Sequence, residues 1–436
     1  MMDTKEHPPK KHNVLVIGSG GREHAFVHCL AGDPALNRLF CAPGNGGTFT
    51  VATNVQLDVM DNDAVVAFVR ERAIDFTIIG PEAPLANGLV DAMQAAGQLV
   101  FGPTGYAAQL ESSKLFAREV MAAAGVPQPQ YIACHSLVEA QAAWQQLGAP
   151  LVVKADGLAA GKGVLICEDE NSYNSAVEQM FTEKRFGTAG DHVSVERCLV
   201  GEELSVFAVC DGENYFILNS AQDHKRAYDG DLGPNTGGMG AYSPTPLSTP
   251  ELLERVGREI IAPTLKEMKN REHPYKGFLY AGIMLVEGNP FVIEFNVRMG
   301  DPEAQVILPL LKTSLFDLLH RSACGELDQL DFQIDPRTAV TVVLAAEGYP
   351  ESYPKGMEIF GLDKLEGDLV FHAGTIRDGN RIRTSGGRVL NIVGFGPDLT
   401  AAIKEAYRIV DQIHFDHMAH RYDIGQRGLA YLKSND

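Results

Sequence analysis

The sequence predicts an α/β protein with a doubly wound parallel sheet at its N-terminus and a strand-rich domain at its C-terminus. Its 436 residues are enough for about three domains, each able to bury its own core. Near the N-terminus, short apolar segments alternate with helical ones, which is typical of a parallel sheet covered by helices. After residue 336, strand-like segments dominate. Hydrophobic residues make up 45% and charged residues 21%, as in ordinary globular proteins.

The N-terminal strands are predicted from apolar segments that each precede Gly or Pro. They cover residues 13–17, 38–42, 75–79 and 98–101. The stretch GSGGREHA (18–25) turns from the first strand into a helix. Ligands of doubly wound sheets bind at the carboxyl ends of the strands, so we expect a ligand here. Residues 1–12 lack the apolar core of a signal peptide and are predicted to be a flexible extension.

The remaining elements follow the same patterns. Helices are predicted at 112–124, 136–147, 303–325 and 398–413, and strands at 151–154, 164–167, 204–210, 278–297, 338–345, 369–376 and 388–393. We therefore expect an N-terminal α/β domain over 13–114, a central domain over 115–337 with a lid at about 131–200, and a C-terminal domain over 338–436.

Charge and cysteine content narrow the function classes. The net charge of −19 argues against a general nucleic-acid binder, because such proteins neutralise phosphates. The chain has no apolar run as long as a membrane span. Its seven cysteines are scattered and form no CxxC pair, which favours reduced thiols in a cytoplasmic protein.

The most informative stretch is QDHKRAYDGDLGPNTGGMGAYSP (222–244). Asp223, His224, Lys225 and Arg226 directly precede a glycine-rich run over 233–240, which we predict to be neither a helix nor a packed strand. Glycine at this density lets a ligand approach the backbone closely. Cationic and titratable side chains beside such a loop suit a polyanion or a reacting carboxylate. This stretch is predicted to belong to an active site.

Gly18-Ser19-Gly20-Gly21 follows a strand and invites a dinucleotide interpretation. The complete fingerprint has a third glycine where this chain has Glu23, so we do not expect NAD. The helix N-terminus still offers free amides for a phosphate, and Asn45 at the neighbouring strand end could complete the seat. The alternative is a tight turn without a ligand.

Residues 157–163 (GLAAGKG) resemble a Walker A loop only superficially. The spacing is one residue short, and Gly163 stands where the magnesium-binding Ser or Thr would be. We interpret the loop as a mobile flap over phosphates, with Lys154 beside it and Lys162 at its tip. The flap should gain protection from hydrogen exchange when a nucleotide binds. A plain hairpin with a glycine-rich turn is the alternative.

Residues 291–298 (FVIEFNVR) form the strongest candidate for a metal site. Side chains alternate along a strand, so Glu294, Asn296 and Arg298 share one face. A carboxylate and an amide oxygen suit a hard cation such as Mg²⁺, and Arg298 suits a carboxylate or phosphate. The alternative is a surface strand. Residues 196–203 (ERCLVGEE) begin at another strand end and finish with two carboxylates, Glu202 and Glu203. The carboxylates could hold ribose hydroxyls and the linking backbone could contact adenine; the alternative is a solvated charge pair at a turn.

Together these stretches resemble the ATP-grasp superfamily and, within it, the phosphoribosylamine–glycine ligase family of purine synthesis. The resemblance is collinear from residue 13 to about 425 and includes GSGGREHA, APGNGGT, KADGLAAGKGV, AQDHKR, GPNTGGMGAYSP, VIEFNVRMGDPE and GGRVL. Small departures are Ser19 where the family often has Asn, Ala221 before Gln222, and Met299 where Phe is usual. They affect substrate fine-tuning and leave the reaction unchanged.

The resemblance implies a central ATP-grasp fold and an ATP-dependent ligase that joins glycine to 5-phosphoribosylamine through glycyl phosphate. It implies Mg²⁺ or Mn²⁺ at Glu294 and Asn296. The ATP-binding residues it implies are Lys114, Lys154, Gly161, Lys162, Gly163, Glu196, Arg197, Cys198, Leu199, Glu203, Arg226 and Asn235. Among them, residues 196–199 would hold adenine, Glu203 the ribose, and Arg226 and Asn235 the phosphates.

The substrate residues are expected on charge grounds. Asp223 would hold the glycine ammonium and Arg298 its carboxylate, with Lys225 as a further catalytic residue. Gly18, Gly20 and Gly21 with Asn45 would hold the ribosylamine phosphate. We expect a monomer that binds neither nucleic acid nor membranes. Two rivals stay open: an ATP-grasp carboxylase, which would consume bicarbonate, and a nucleotide-binding regulator without turnover.

Overall fold

The computed structural model describes residues 10–158 and 163–435. Most of the predicted N-terminal extension lies outside this range, and so do four residues of the predicted flap, 159–162, which include the predicted ATP-binding residues Gly161 and Lys162. The first strand begins at His12, one residue earlier than predicted. Among the described residues, no helix is long and apolar enough to cross a membrane.

The N-terminal region is a five-stranded parallel sheet with the order β3-β2-β1-β4-β5. This confirms the predicted doubly wound sheet. The strands β1 and β4 are almost entirely buried, because helices cover both faces of such a sheet. The elements are β1 (His12–Gly18), α1 (Gly21–Leu30), β2 (Leu36–Pro43), β3 (Thr53–Asn54), α2 (Asn62–Glu71), β4 (Phe76–Ile79), α3 (Glu82–Ala86), α4 (Leu89–Ala95), β5 (Val100–Phe101) and α5 (Gln109–Ser112).

The predicted lid is a four-stranded antiparallel sheet with the order β6-β9-β7-β8, and its apolar face packs against two helices. It follows α6, which leads from the N-terminal region into the central one. The elements are α6 (Lys114–Ala124), β6 (Tyr131–Cys134), α7 (Leu137–Leu147), β7 (Leu151–Ala155), β8 (Val164–Cys167), α8 (Glu170–Phe181) and β9 (Val193–Arg197).

The central sheet contains long strands that are largely buried. Its core is β10 between β11 and β15, and β16 forms the edge. The elements are β10 (Glu202–Asp211), β11 (Tyr215–Asp223), β12 (Arg226–Tyr228), β13 (Leu232–Asn235), β14 (Gly240–Ser243), α9 (Pro250–Val256), α10 (Ala262–Asn270), β15 (Lys276–Val286), β16 (Asn289–Asn296), α11 (Ala304–Ile307) and α12 (Leu315–Cys324).

The C-terminal strands extend this central sheet across residue 337. The short strand β14 pairs with both β11 and the next strand along the chain, so one sheet continues through the order β16-β15-β10-β11-β14-β17-β21-β18. The elements are β17 (Thr338–Ala346), β18 (Leu369–His372), β19 (Thr375–Asp378), β20 (Arg381–Thr384), β21 (Arg388–Gly396), α13 (Leu399–Val410), β22 (Met418–Ala419) and α14 (Gln426–Asn435).

Several predicted elements differ in the structure. The single helix predicted over 303–325 is wrong: Pro309 lacks an amide donor, and Leu311 pairs in a bridge with Ile334, so the chain divides into α11 and α12. The strand predicted over 369–376 breaks at Ala373 and Gly374. The helix α14 was not predicted.

The glycine-rich run over 233–240 was also predicted incorrectly in part. Gly240 opens the fully buried strand β14, and residues 232–235 form β13, which pairs with β12 in an exposed hairpin. A close approach explains Gly240, because a Cβ there would lie 2.6 Å from the Thr341 carbonyl oxygen.

Candidate active site

Glu294 on β16 lies among four positive charges, two from the elements α6 and β7 and two from the loops that follow β11 and β16. Burial alone would raise its pKa, but Lys114, Lys225, Lys154 and Arg298 outweigh that effect and lower the pKa to about 2. The Lys114 ammonium is 3.8 Å from the Glu294 carboxylate. The structure thus brings together five of the residues predicted for ATP, metal and catalysis.

Local structure fixes the position of each cation. Lys114 is the first residue of α6, because the Ser113 hydroxyl caps that helix by accepting from the Phe116 amide at 3.1 Å. Lys154 stands on the buried lid strand β7, and Lys225 follows the end of β11. Strand alternation places Asn296 on the Glu294 side of β16, opposite the buried Phe295.

Lys154 also belongs to a buried ion cluster that sequence reasoning missed. The Arg118 guanidinium donates to both carboxylate oxygens of Glu196, at 2.8 and 2.6 Å, and the Lys154 ammonium lies 3.0 Å from the same carboxylate. All three residues are buried. Burial would raise the pKa of Glu196, but Lys154 and Arg118 lower it. No sequence motif marks Arg118, which faces the cluster from the interior of a helix.

This cluster refines the predicted adenine segment over 196–199. Arg118 and Lys154 already pair with the Glu196 carboxylate. The groups of this segment that could contact adenine are therefore mainly those of the backbone. The Arg197 side chain donates to the Leu147 carbonyl at 3.1 Å. Cys198 and Leu199 are half-buried at the start of the link from the lid to the central sheet.

Asp223, Lys225 and Glu203 form a second charged group at the ends of β10 and β11. The Lys225 ammonium donates to the Glu203 carboxylate. Burial raises the pKa of Asp223. The Lys225 charge lowers this pKa and the Glu203 charge raises it, and the net effect is a raised pKa. Glu303 completes this group, since burial and the Asp223 charge raise its pKa to about 7. The predicted ribose residue Glu203 therefore contacts the predicted catalytic Lys225.

Arg298 contacts carboxylates from the N-terminal region. Its guanidinium donates to Glu111 at 2.9 Å and lies 3.3 Å from Glu82, and it also contacts Asn296 Oδ1 at 3.3 Å. Burial alone would lower the pKa of Arg298, but the charges of Glu111 and Glu82 outweigh that effect and raise it. Sequence reasoning did not single out either carboxylate. Glu82 had a signal, because it follows β4 at the carboxyl edge of the sheet.

Protein side chains already bind the amides predicted to seat a phosphate near Gly18–Gly21. The Gly20 amide donates to the Glu23 carboxylate at 2.6 Å, and the Arg22 amide donates to Asp301 at 3.1 Å. A phosphate in this place would have to displace both carboxylates. Gly21 instead permits close packing, because a Cβ there would lie 2.4 Å from the Asn391 amide.

Asn45 is engaged with the backbone on every side. Its Nδ2 donates to the carbonyls of Ser19, at 2.9 Å, and His372, at 2.7 Å. Its Oδ1 accepts from the amides of Gly47, at 2.9 Å, and Thr48, at 3.1 Å. The predicted contact with a substrate phosphate would compete with these bonds. The side chain ties the N-terminal loop to the C-terminal strand β18.

We expect Asn45→Ala to lower the free energy of unfolding by about 1–3 kcal/mol, because it leaves buried amides and carbonyls unpaired. Urea unfolding measures this loss. A variant that unfolds normally but has a raised KM for the ribosylamine would instead support the phosphate contact.

The remaining predicted ATP residues lie on the β12–β13 hairpin and at the base of the predicted flap. Arg226 and Asn235 are paired across the exposed β12–β13 hairpin, where the Arg226 guanidinium donates to the Gly233 carbonyl at 2.8 Å. Gly163 is buried at the base of the predicted flap, and its carbonyl accepts from the Ala155 amide at 2.8 Å.

Family models match nearly all of this chain. The N domain of phosphoribosylglycinamide synthetase matches residues 12–111, its ATP-grasp (A) domain matches 112–304, and its C domain matches 339–427. These matches confirm the resemblance that the motifs indicated.

Curated relatives and solved structures agree with these models. The chain is 48% identical over 418 residues to the phosphoribosylamine–glycine ligase of Ralstonia nicotianae, covering 95% of this chain and 99% of that protein. It is 47% identical over 422 residues to the same enzyme of Vibrio cholerae, covering 96% and 98%.

The crystal structure of phosphoribosylamine–glycine ligase from Thermotoga maritima has a TM-score of 0.81 at 32% identity, covering 94% of this chain and 100% of that one. A biotin carboxylase domain from Hydrogenobacter thermophilus has a TM-score of 0.74 at 17% identity, covering 95% and 92%, and shows a shared fold alone.

Proposed function

The chain belongs to the phosphoribosylglycinamide synthetase family, and we propose that it joins glycine to 5-phosphoribosylamine at the expense of ATP. The products are glycinamide ribonucleotide, ADP and phosphate, and the reaction is a step of purine synthesis. The observation that carries this assignment is the convergence of Lys114, Lys154, Lys225 and Arg298 on Glu294. Such a site suits phosphoryl transfer from a nucleotide to a carboxylate.

The chemistry explains why the site needs so many charges. A glycine carboxylate is a poor acyl donor, because oxide leaves badly. Its oxygen attacks the γ-phosphorus of ATP, the bond to the β-phosphate oxygen breaks, and ADP leaves glycyl phosphate behind. The ribosylamine nitrogen then attacks the acyl carbon and expels phosphate. Positioning and charge neutralisation contribute most of the catalysis in phosphoryl transfer.

Glu294 and Asn296 fit a divalent cation. A carboxylate and an amide oxygen on one face of β16 are hard oxygen donors, and Glu294 stays ionised because of the surrounding cations. Bound there, Mg²⁺ or Mn²⁺ would neutralise charge on the nucleotide phosphates. In the described part of the chain, no cluster of three or more His, Cys, Asp or Glu residues forms a rival metal site.

We assign ATP to the space between the lid and the central sheet. Adenine would contact the backbone of residues 197–199, ribose would contact Glu203, and phosphates would contact Lys114, Lys154, Arg226 and Asn235. The flap residues Gly161, Lys162 and Gly163 would exclude water from the acyl phosphate. The Lys154 ammonium stands 2.7 Å from the Ile293 carbonyl, directly beside the metal strand, which supports its placement near the phosphates.

We assign glycine to the space between Asp223 and Arg298. Asp223 would take the ammonium and Arg298 the carboxylate, while Lys225 would neutralise charge on the transferring phosphoryl group. The ribosylamine would enter from the N-terminal sheet, where the strand ends carry Gly18, Gly20 and Gly21. Glu23 and Asp301 already accept from backbone amides of that loop, so the ribosylamine phosphate would either displace these carboxylates or bind beside them. We further propose a cytoplasmic monomer.

ADP release should require both glycine and freshly prepared phosphoribosylamine, and bicarbonate should have no effect. The assay omits each substrate in turn and follows ADP by a coupled reaction. Bicarbonate-dependent ADP release without glycine would replace this proposal with a carboxylase. Nucleotide binding with no ADP release under any condition would indicate a regulator.

A further inference from the structure

The side chains of the motif Asp223–Arg226 lie on two opposite sides of the backbone. Asp223 and Lys225 face the charged group of Glu203 and Glu303, as described above. His224, between them, is only 1% exposed and turns away from that group. Its Nε2 accepts from the Gly425 amide at 3.0 Å. The middle of the motif is therefore attached to the C-terminal end of the chain.

The C-terminal segment over 421–427 contacts the loop that follows the motif. The Arg421 guanidinium, 1% exposed, donates to the Arg226 carbonyl at 3.0 Å and to Asp231 at 2.9 Å. It also donates to Asp423, at 2.7 Å, and Asp423 accepts from the Gly230 amide at 2.8 Å. These bonds fix the backbone on the far side of Lys225.

The near side of the motif is fixed by Arg427. Its Nη2 donates to the backbone carbonyl of Asp223, and its Nε lies 3.7 Å from Asp231. Arg427 is 37% exposed, unlike Arg421. The backbone of Asp223–Arg226 is thus held at three points, the carbonyls of its first and last residues and the ring of His224, by one segment distant in sequence.

We propose that residues 421–427, a C-terminal clamp, position the Asp223–Lys225 pair for the reaction, with His224, Arg421 and Arg427 as positioning residues. None of the three has to touch a substrate. Each acts through the backbone that carries Asp223 and Lys225. This inference rests on the function proposed above, because the effect expected is on the binding and turnover of glycine.

The chemistry of the contacts fits positioning better than acid–base catalysis. Burial and the charges of Arg427 and Arg421 lower the pKa of His224 to about 3, so the ring stays neutral and accepts from the Gly425 amide. A buried guanidinium is costly unless it is paired, and Arg421 has its donors directed to two carboxylates and a carbonyl. Such a network holds one backbone conformation.

The test compares Arg427→Met with Arg427→Lys and with a control, Arg408→Met. Arg408 is an exposed arginine on α13 that pairs with Glu405 and Asp368 and does not contact the motif. We expect Arg427→Met to lower kcat/KM for glycine by about 10- to 100-fold, as for a small misplacement of reacting groups. ATP affinity and the urea midpoint should match those of Arg408→Met, and Arg427→Lys should recover part of the loss.

His224 gives a second, independent comparison. His224→Gln keeps an acceptor for the Gly425 amide and should retain more glycine turnover than His224→Leu. Unchanged glycine kinetics in both Arg427→Met and His224→Leu would overturn the inference. Equal losses of ATP affinity, glycine turnover and stability would also overturn it, in favour of a general structural role. A wild-type protein without glycine-dependent ADP release would refute the proposed function instead.

Discussion

Glu294→Gln is expected to reduce turnover by on the order of 100-fold or more, while the protein stays folded. Removing the carboxylate removes the charge that a divalent cation favours, and metal-assisted phosphoryl transfer supplies several kcal/mol of transition-state stabilisation. The pKa of about 2 means that this carboxylate carries a full charge at neutral pH. Gln keeps the side-chain volume, and the buried Phe295 on the other face of β16 is untouched.

The measurement is steady-state ADP release with glycine and the ribosylamine across a series of Mg²⁺ concentrations. Glu287→Gln is the matched control, because Glu287 is an exposed carboxylate in the turn that joins β15 to β16. It should leave turnover unchanged. ATP should still bind to Glu294→Gln through the adenine segment. Near-normal turnover at limiting Mg²⁺ would show that the metal assignment is wrong, and Glu303 would become the next candidate.

The parts of the site that sequence could predict are those encoded locally. The alternation FVIEFNVR places Glu294, Asn296 and Arg298 on one face with no knowledge of the rest of the chain. The transition from the first predicted strand into GSGGREHA likewise marked the end of β1 as a place for a ligand, whereas no strand was predicted where β11 lies.

The partners of those residues could not be predicted in the same way. Arg118 meets Glu196 across 78 positions, and Glu111 meets Arg298 across 187. Arg118 and Glu111 lie on helices α6 and α5, whose sequences show no charge motif. His224 was grouped with the active-site residues because it adjoins them in sequence. Its ring instead contacts the C-terminal segment, where Nε2 accepts from the Gly425 amide at 3.0 Å.

Fold predictions failed where tertiary contacts overrode local pattern. Residues 303–325 have the apolar periodicity of one helix, yet Pro309 and the bridge from Leu311 to Ile334 divide them. The glycine-rich stretch was predicted to be a loop, but Gly240 opens a buried strand. The sheet needs a residue without a side chain at this position, because a Cβ would collide with the Thr341 carbonyl. Such requirements depend on neighbours that the local sequence does not show.

The largest effect on stability is expected from Glu196→Gln. This change leaves the buried cations Arg118 and Lys154 facing each other with only an amide oxygen between them. Removing one partner of a buried ion pair typically costs about 3–5 kcal/mol, because the remaining charge is uncompensated. The matched control is Glu71→Gln, whose exposed carboxylate pairs with Arg72 at 3.5 Å and is expected to contribute about 0–1 kcal/mol.

Urea unfolding at several pH values tests this account of the cluster. The pKa of Glu196 is lowered in the folded protein, so its stabilisation is fully present above the unfolded value of about 4.3 and is lost as pH falls through the folded value. The stability difference between wild type and Glu196→Gln should therefore be constant near neutrality and shrink in acid. A difference that stays constant down to acid unfolding would mean that Glu196 contributes shape and hydrogen bonds, and that its charge is not what holds Arg118 and Lys154 beside the metal strand.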